Sequence, residues 1–331
     1  MLPGWAAVAP RSPLLLQAGT AGALRRPAHQ HRSEWRVRNR SSLCRLQRCN
    51  RHLCTGGVTT ATKPDEGEIN DLALRLELRL RAKQQRLLNV LCVGASSGIG
   101  AALAQRLSLR GHNIRLCLVG RHEARLEAVA ESCRARGARV SAVVADVGSE
   151  ADCVRMCAGF AASICESAAV PVVVCNAGIG APGSTHAASA NAFDAVMGTN
   201  VKGVLLTLRE LVPVLRDAPA SQIVVTGSVL GLRPPSAGGN AIYTASKHAI
   251  EGLVDSVRNE VAGTGVKIAV VNPGGIRTTW FDDPVKGGHS KADKPDTANF
   301  LEVDEVVDAL LSIIDQGSRT DIRRIVLENV K

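Results

Sequence analysis

Aromatic residues are scarce in this 331-residue chain: they make up 2% of it, and Tyr243 is the only tyrosine. A core must therefore be built from Ala, Val, Leu and Ile, which the 45% apolar content supplies. No uninterrupted stretch reaches the ~20 apolar residues that a membrane-spanning helix needs. Acidic residues are missing from one region only. Residues 1–63 carry ten Arg and one Lys against Glu34 alone, which accounts for the whole net charge of +10. Residues 64–331 are charge-balanced, so a globally basic, nucleic-acid-coating protein is excluded. An arginine arm for nucleic acid is a competing reading of residues 1–63. It is weakened because Trp35 is the one Phe, Tyr or Trp among the clustered arginines, whereas nucleic-acid-binding segments interleave aromatics for base stacking.

An Arg-rich, acid-poor start with Ser, Ala and Gly has the composition of an organelle transit peptide. Pro3, Pro10, Arg11 and Pro13 interrupt any apolar core of a secretory signal. The expectation is import into a mitochondrion or plastid, with a cytoplasmic location as the alternative. Ten cysteines do not form a disulfide framework: Cys92, Cys117 and Cys175 lie in apolar runs, where a thiol behaves as a small hydrophobe. Cys44, Cys49 and Cys54 have gaps too long for a zinc knuckle, so no metal site is expected.

Three regions are expected: a disordered leader at 1–63, a linker at 64–87 and a folded domain at 88–331. Within the linker, Leu72, Leu74, Leu76, Leu78 and Leu80 alternate as in a strand, but the helix-forming composition predicts a helix over 66–87. Beyond it, strand-length apolar runs near 89–94, 114–119, 139–145, 171–175, 221–227, 266–272 and 322–327 alternate with helical stretches. The helices are expected near 98–110, 122–136, 149–167, 189–216, 240–262 and 303–316. That alternation predicts an α/β domain: a doubly wound, seven-stranded parallel sheet with helices on both faces. One long irregular stretch, 275–300, reads as a lid.

The first strand runs into Gly94-Ala-Ser-Ser-Gly-Ile-Gly100, which opens a helix. Gly94, Gly98 and Gly100 permit a tight turn and close approach to a pyrophosphate, with Ser96, Ser97 and Ile99 between them. The second strand ends Gly120-Arg121, with no acid before Glu123. An acid there would suit the ribose 2′-hydroxyl of NAD, whereas Arg121 suits the 2′-phosphate of NADP; it could also be a solvated residue at a helix start. Far downstream, Tyr243 and Lys247 are spaced i, i+4, which on a helix places phenol and ammonium on one face. A fixed cation there is expected to lower the phenol's pKa.

The glycine turn, Asn176-Ala177-Gly178 after the fourth strand and Tyr243-x3-Lys247 occur in the order found in the short-chain dehydrogenase/reductase family. The chain resembles that family over about 87–330, with Val93 standing where the family usually has Thr. The resemblance implies a Rossmann-type fold and an NADP(H)-dependent oxidoreductase that interconverts a carbonyl and a secondary alcohol. Tyr243 would be the acid/base, and Lys247 would tune it and hold the nicotinamide ribose. Ser228 would hydrogen-bond the substrate oxygen, and Asn200 would hold a water linking Lys247 to solvent. Asp146, with Val147, would contact the adenine, and Asn176, Ala177 and Gly178 would flank the adenosine ribose. Pro273, Gly274, Ile276 and Thr278 would hold the carboxamide. Ser228 precedes Tyr243 by 15 residues, two more than is usual in the family, which reads as an insertion in the loop containing Arg233.

The substrate pocket is expected to draw on Arg233, residues 179–188 and the lid around Trp280 and Phe281. Arg277, Lys286, His289, Lys291 and Lys294 are candidates to attract an anion. The C-terminal sequence resembles the branch containing 3-hydroxy acid dehydrogenases, which implies a small carbonyl or 3-hydroxy acid substrate. A 3-oxoacyl-[acyl-carrier-protein] reductase is the second reading, and a non-catalytic NADP-binding sensor the third. The family habit of pairing through the helices at 189–216 and 240–262 implies a homodimer or homotetramer. No nucleic acid and no membrane span are expected.

Overall fold

The computed structural model describes residues 86–165, 168–218, 220–235, 239–283 and 297–330, together with Asp71 and Leu74. The leader 1–63, Lys286, His289, Lys291, Lys294 and nearly all of the expected 66–87 helix lie outside the described residues. Asp71 and Leu74 are helical, in line with that helix.

Apolar runs bounded by turns become strands because a parallel sheet covered on both faces rewards continuous rather than alternating hydrophobicity. The strands are β1 (Leu88–Val93), β2 (Ile114–Gly120), β3 (Arg139–Val144), β4 (Val170–Cys175), β5 (Ser221–Thr226), β6 (Val266–Pro273) and β7 (Arg324–Leu327). β1 is buried at every position, whereas the edge strands β3 and β7 are buried only in part. All pairings are parallel and the order is β3-β2-β1-β4-β5-β6-β7. The expected seven-stranded doubly wound sheet is therefore present among the described residues. Cys92, Cys117 and Cys175 are buried within it as unpaired thiols.

Between the strands run α1 (Gly98–Ser108), α2 (Glu123–Arg134), α3 (Glu150–Cys165), α4 (Ala190–Met197), α5 (Gly203–Arg216), α6 (Ala241–Glu260) and α7 (Val303–Ile314). Leu103 of α1, Leu126 of α2 and Leu310 of α7 pack in one apolar layer on the sheet. Phe160 of α3, Leu211 of α5 and Val254 of α6 pack in the layer on the other face.

One expectation changes. The continuous helix over 189–216 is interrupted by a π-helical turn at Gly198–Lys202, between α4 and α5. Such a turn inserts a residue into the helical ladder and re-aims its side chains, which a 3.6-residue period cannot reveal. The strand order reverses between β1 and β4, so the crevice for a ligand lies at the carboxyl ends of these strands. Among the described residues no helix is long and apolar enough to cross a membrane.

Candidate active site

A cavity of about 640 Å³ occupies that crevice, running from the β1 turn to the start of α6. Gly94, Ser96, Ser97, Gly98 and Ile99 line one end of it. Gly94 adopts φ +87°, and a Cβ there would stand 2.7 Å from the backbone nitrogen of Ala177. The Ser97 side chain makes no cap hydrogen bond to α1 and no acid stands in its first turn, so the helix dipole there favours an anion. Gly100 does not line the cavity. A Cβ on it would meet the Gly94 carbonyl oxygen at 2.2 Å, so this glycine lets helix and strand pack closely.

The ends of β2 and β3 continue the wall. Arg121 is exposed and lines the cavity beside Gly120, and Asp146 and Val147 line it from the turn after β3. Asp146 shapes its own turn, since its Oδ1 accepts the Gly148 N–H at 2.9 Å. Asn176, Ala177 and Gly178 form the floor. The Asn176 amide donates to the Gly94 carbonyl at 3.2 Å and accepts the Thr226 hydroxyl at 3.1 Å. It thereby stitches the glycine turn to the end of β5.

At the other end α6 presents Tyr243 and Lys247 to the cavity. Lys247 Nζ lies 5.5 Å from the Tyr243 ring centroid and donates to the Thr226 carbonyl at 2.8 Å. Ser228 lines the cavity with Tyr243, close enough for its side chain to favour the phenolate, so the longer interval between these residues still brings them together. The Ser228 N–H donates to Asn272 Oδ1 at 2.8 Å, and Asn272 Nδ2 donates to Glu251 Oε1 at 2.7 Å. Arg324 of β7 completes this relay by donating to Glu251 Oε2 at 2.6 Å. Sequence reasoning passed over Asn272 and Glu251 as functional residues. The available signal was the position of Glu251, four residues past Lys247 on the same helix.

Asn200 sits in the π turn, buried and off the cavity wall. It donates to the Ile179 carbonyl at 2.9 Å and to Ser246 Oγ at 3.0 Å, and accepts the Ile179 N–H at 2.8 Å. Both amide protons are thus spent on protein, and one Oδ1 lone pair remains for a water. Ser246 in turn donates to the Tyr243 carbonyl at 2.7 Å, so Asn200 steadies the helix turn that carries the phenol.

The expected depression of the phenol's pKa is not met. Burial pushes Tyr243 up to about 12, and the nearby Ser228 side chain only moderates it. The same burial pulls Lys247 down to about 8. Removing water disfavours phenolate and ammonium alike, and in this pocket that effect exceeds the attraction between them. At neutrality Lys247 is still protonated by about ten to one.

Pro273, Gly274, Ile276 and Thr278 line the cavity above β6. Trp280 stands edge-on to Tyr243, with centroids 6.1 Å apart and planes at 64°. Phe281 and Phe300 also line the wall and pair at 5.7 Å. Ile179, Gly180 and Pro182 supply the expected contribution from 179–188. Arg233, however, is ion-paired with Glu328 and does not line the cavity. Arg277 donates to the Thr297 and Ala298 carbonyls at 3.2 and 3.1 Å and pairs with Glu302 at 2.9 Å. It braces the base of the 275–300 stretch.

Lys247 titrates near 8 in the folded chain and near its ordinary 10.5 when unfolded. Between those values the unfolded state binds more protons, so this residue's contribution makes stability rise with pH; below about 8 the charge is buried at full penalty. In urea unfolding, the stability gap between Lys247→Met and the native chain should shrink by roughly 2 kcal/mol from about pH 7 to about pH 9.5. That window lies below the titration of Tyr243. A gap independent of pH would contradict the buried, depressed lysine.

Comparison with known proteins agrees with this geometry. The profile of the short chain dehydrogenase family matches residues 88–286. An NADPH-dependent pterin aldehyde reductase of Arabidopsis thaliana is 37% identical over 191 residues, 57% of this chain and 75% of that protein. A short-chain dehydrogenase from Sphingobium yanoikuyae, solved with NADPH, superposes with a TM-score of 0.60 at 30% identity, covering 72% of this chain and 87% of that one. A relative from Burkholderia phymatum, solved with NAD, superposes at 0.63 with 26% identity, covering 73% and 89%. With its profile match spanning the glycine turn through Tyr243, Lys247 and the turn after β6, this chain belongs to the short-chain dehydrogenase family.

Proposed function

We propose that the protein is an NADP(H)-dependent oxidoreductase that interconverts a small carbonyl compound and its secondary alcohol, with Tyr243 as general acid/base. The observation that carries this reading is one continuous cavity joining the Gly94 turn and Arg121 to the Tyr243, Ser228 and Lys247 cluster. The residues present fit a dinucleotide. The glycine turn leaves room that a Cβ at Gly94 would fill, and the dipole at the α1 N-terminus favours an anion. Bound there, NADPH would supply hydride.

The chain's own residues do the rest. Tyr243 gives its proton to the carbonyl oxygen, and the Ser228 hydroxyl steadies that oxygen as charge develops on it. Lys247, cationic at neutral pH, compensates the phenolate that forms and holds the nicotinamide ribose. Asn200 keeps the Tyr243 turn and the Ile179 wall in place. Gly94, Ser96, Ser97, Gly98 and Ile99 receive the pyrophosphate, with Gly100 supporting the turn. Asp146 and Val147 meet the adenine, and Asn176, Ala177 and Gly178 the adenosine ribose. Pro273, Gly274, Ile276 and Thr278 hold the carboxamide. Arg121, with no acid beside it at the β2 end, favours the 2′-phosphate and hence NADP.

For the substrate, Arg233 and Arg277 are already paired. A neutral carbonyl flanked by Trp280 therefore fits the described walls better than the carboxylate of a 3-hydroxy acid. Domain limits of 1–63, 64–87 and 88–331, import into an organelle and self-association as a dimer or tetramer through the helical stretches 189–216 and 240–262 complete the reading.

Tyr243→Phe should bind NADPH within a few-fold of the native chain while kcat for carbonyl reduction falls ~10²- to 10⁴-fold. Retained turnover would remove Tyr243 from its role, and tight NADPH binding with no turnover of any carbonyl by the native chain would favour the sensor reading. Arg121→Ala should raise the KM for NADPH about 10- to 100-fold, the loss of a charge-assisted phosphate contact, and leave that for NADH nearly unchanged. Equal effects on both would contradict the phosphate assignment.

A further inference from the structure

The residues after β7 reach the turn that follows β6 through the Asn329 side chain. Asn329 Oδ1 accepts the Gly275 N–H at 2.8 Å, and its Nδ2 donates to the Gly275 carbonyl at 2.8 Å. Nδ2 also donates to the Asn299 carbonyl at 3.0 Å. The carboxamide thus pairs with Gly275 as a neighbouring strand would, extending the ladder by which Gly274 N–H reaches the Leu327 carbonyl at 2.8 Å. On the far side of the turn, Leu301 N–H donates to the same Gly275 carbonyl at 2.9 Å.

The turn is shaped around this contact. A Cβ on Gly274 would stand 2.2 Å from Asn329 Oδ1, and one on Gly275 would stand 2.7 Å from the Phe300 ring. Gly274, Gly275, Ile276 and Phe300 line the cavity, whereas Asn329 does not. Any influence it has on a bound molecule passes through the turn.

We propose that Asn329 is a positioning residue that fixes the Gly274–Ile276 turn, with Phe300 against it, for the nicotinamide end of the cofactor. The proposal rests on the dinucleotide reading of the cavity. Asn329→Ala removes donor and acceptor together. Asn329→Asp keeps an acceptor for Gly275 N–H but turns a charge toward the Gly275 and Asn299 carbonyls.

Calorimetric titration of both variants and the native chain with NADPH, and with 2′,5′-ADP, which lacks the nicotinamide half, separates positioning from general loosening. Both variants should lose about tenfold in NADPH affinity, the worth of a partly buried hydrogen-bond pair, and bind 2′,5′-ADP as the native chain does. Unchanged NADPH affinity would overturn the proposal, as would an equal loss for both ligands. A native chain that binds neither nucleotide would overturn the cofactor reading itself, and the positioning role with it.

Discussion

A lysine ammonium and a phenol held together out of water form the constraint on which the rest of this site depends. Removing a cation from water costs several kcal/mol unless its protons are received elsewhere. Lys247 receives that help from the Thr226 carbonyl at the end of β5, beneath the Tyr243 ring. Burial moves both groups toward neutrality, Tyr243 to about 12 and Lys247 to about 8. At neutral pH the phenol therefore holds its proton firmly and a cation stays beside it. That is the state in which a general acid is ready to give a proton to an oxygen gaining charge.

Keeping the pair in register requires support from side chains that do not line the cavity. The π turn lends Asn200 to Ile179 and Ser246, and Ser246 steadies the turn carrying Tyr243. From the opposite side, Arg324, Glu251 and Asn272 pass a chain of hydrogen bonds to the Ser228 backbone. Asn329 does the same for the turn after β6. Two of these supports originate in β7 and the residues after it, so the last strand and its continuation brace both Ser228 and the turn after β6.

The fold and the gathering of Tyr243, Lys247 and the glycine turn around one cavity were legible because their signals are local. Strand-length apolar runs, the glycine spacing and the i, i+4 pairing of Tyr243 with Lys247 each lie within a few residues. What stayed hidden joins distant positions: Asn272 meets Glu251 across 21 residues, Arg324 meets Glu251 across 73 and Asn329 meets Gly275 across 54. No periodicity announces such pairs. The π turn escaped because its composition is helical, and the direction of the Tyr243 shift because burial sums over a whole pocket. Arg233 and Arg277 looked like free cations in the sequence, yet Glu328 and Glu302 were the partners the fold brought to them.

Because Tyr243 is the only tyrosine in the chain, phenolate absorbance in the near ultraviolet reports this one side chain without interference. Titrating the cofactor-free folded protein toward alkaline pH is the most direct test of the dry pocket. The phenol should keep its proton past pH 10, with a midpoint at about 12. A midpoint at or below the ordinary value of about 10 would contradict it.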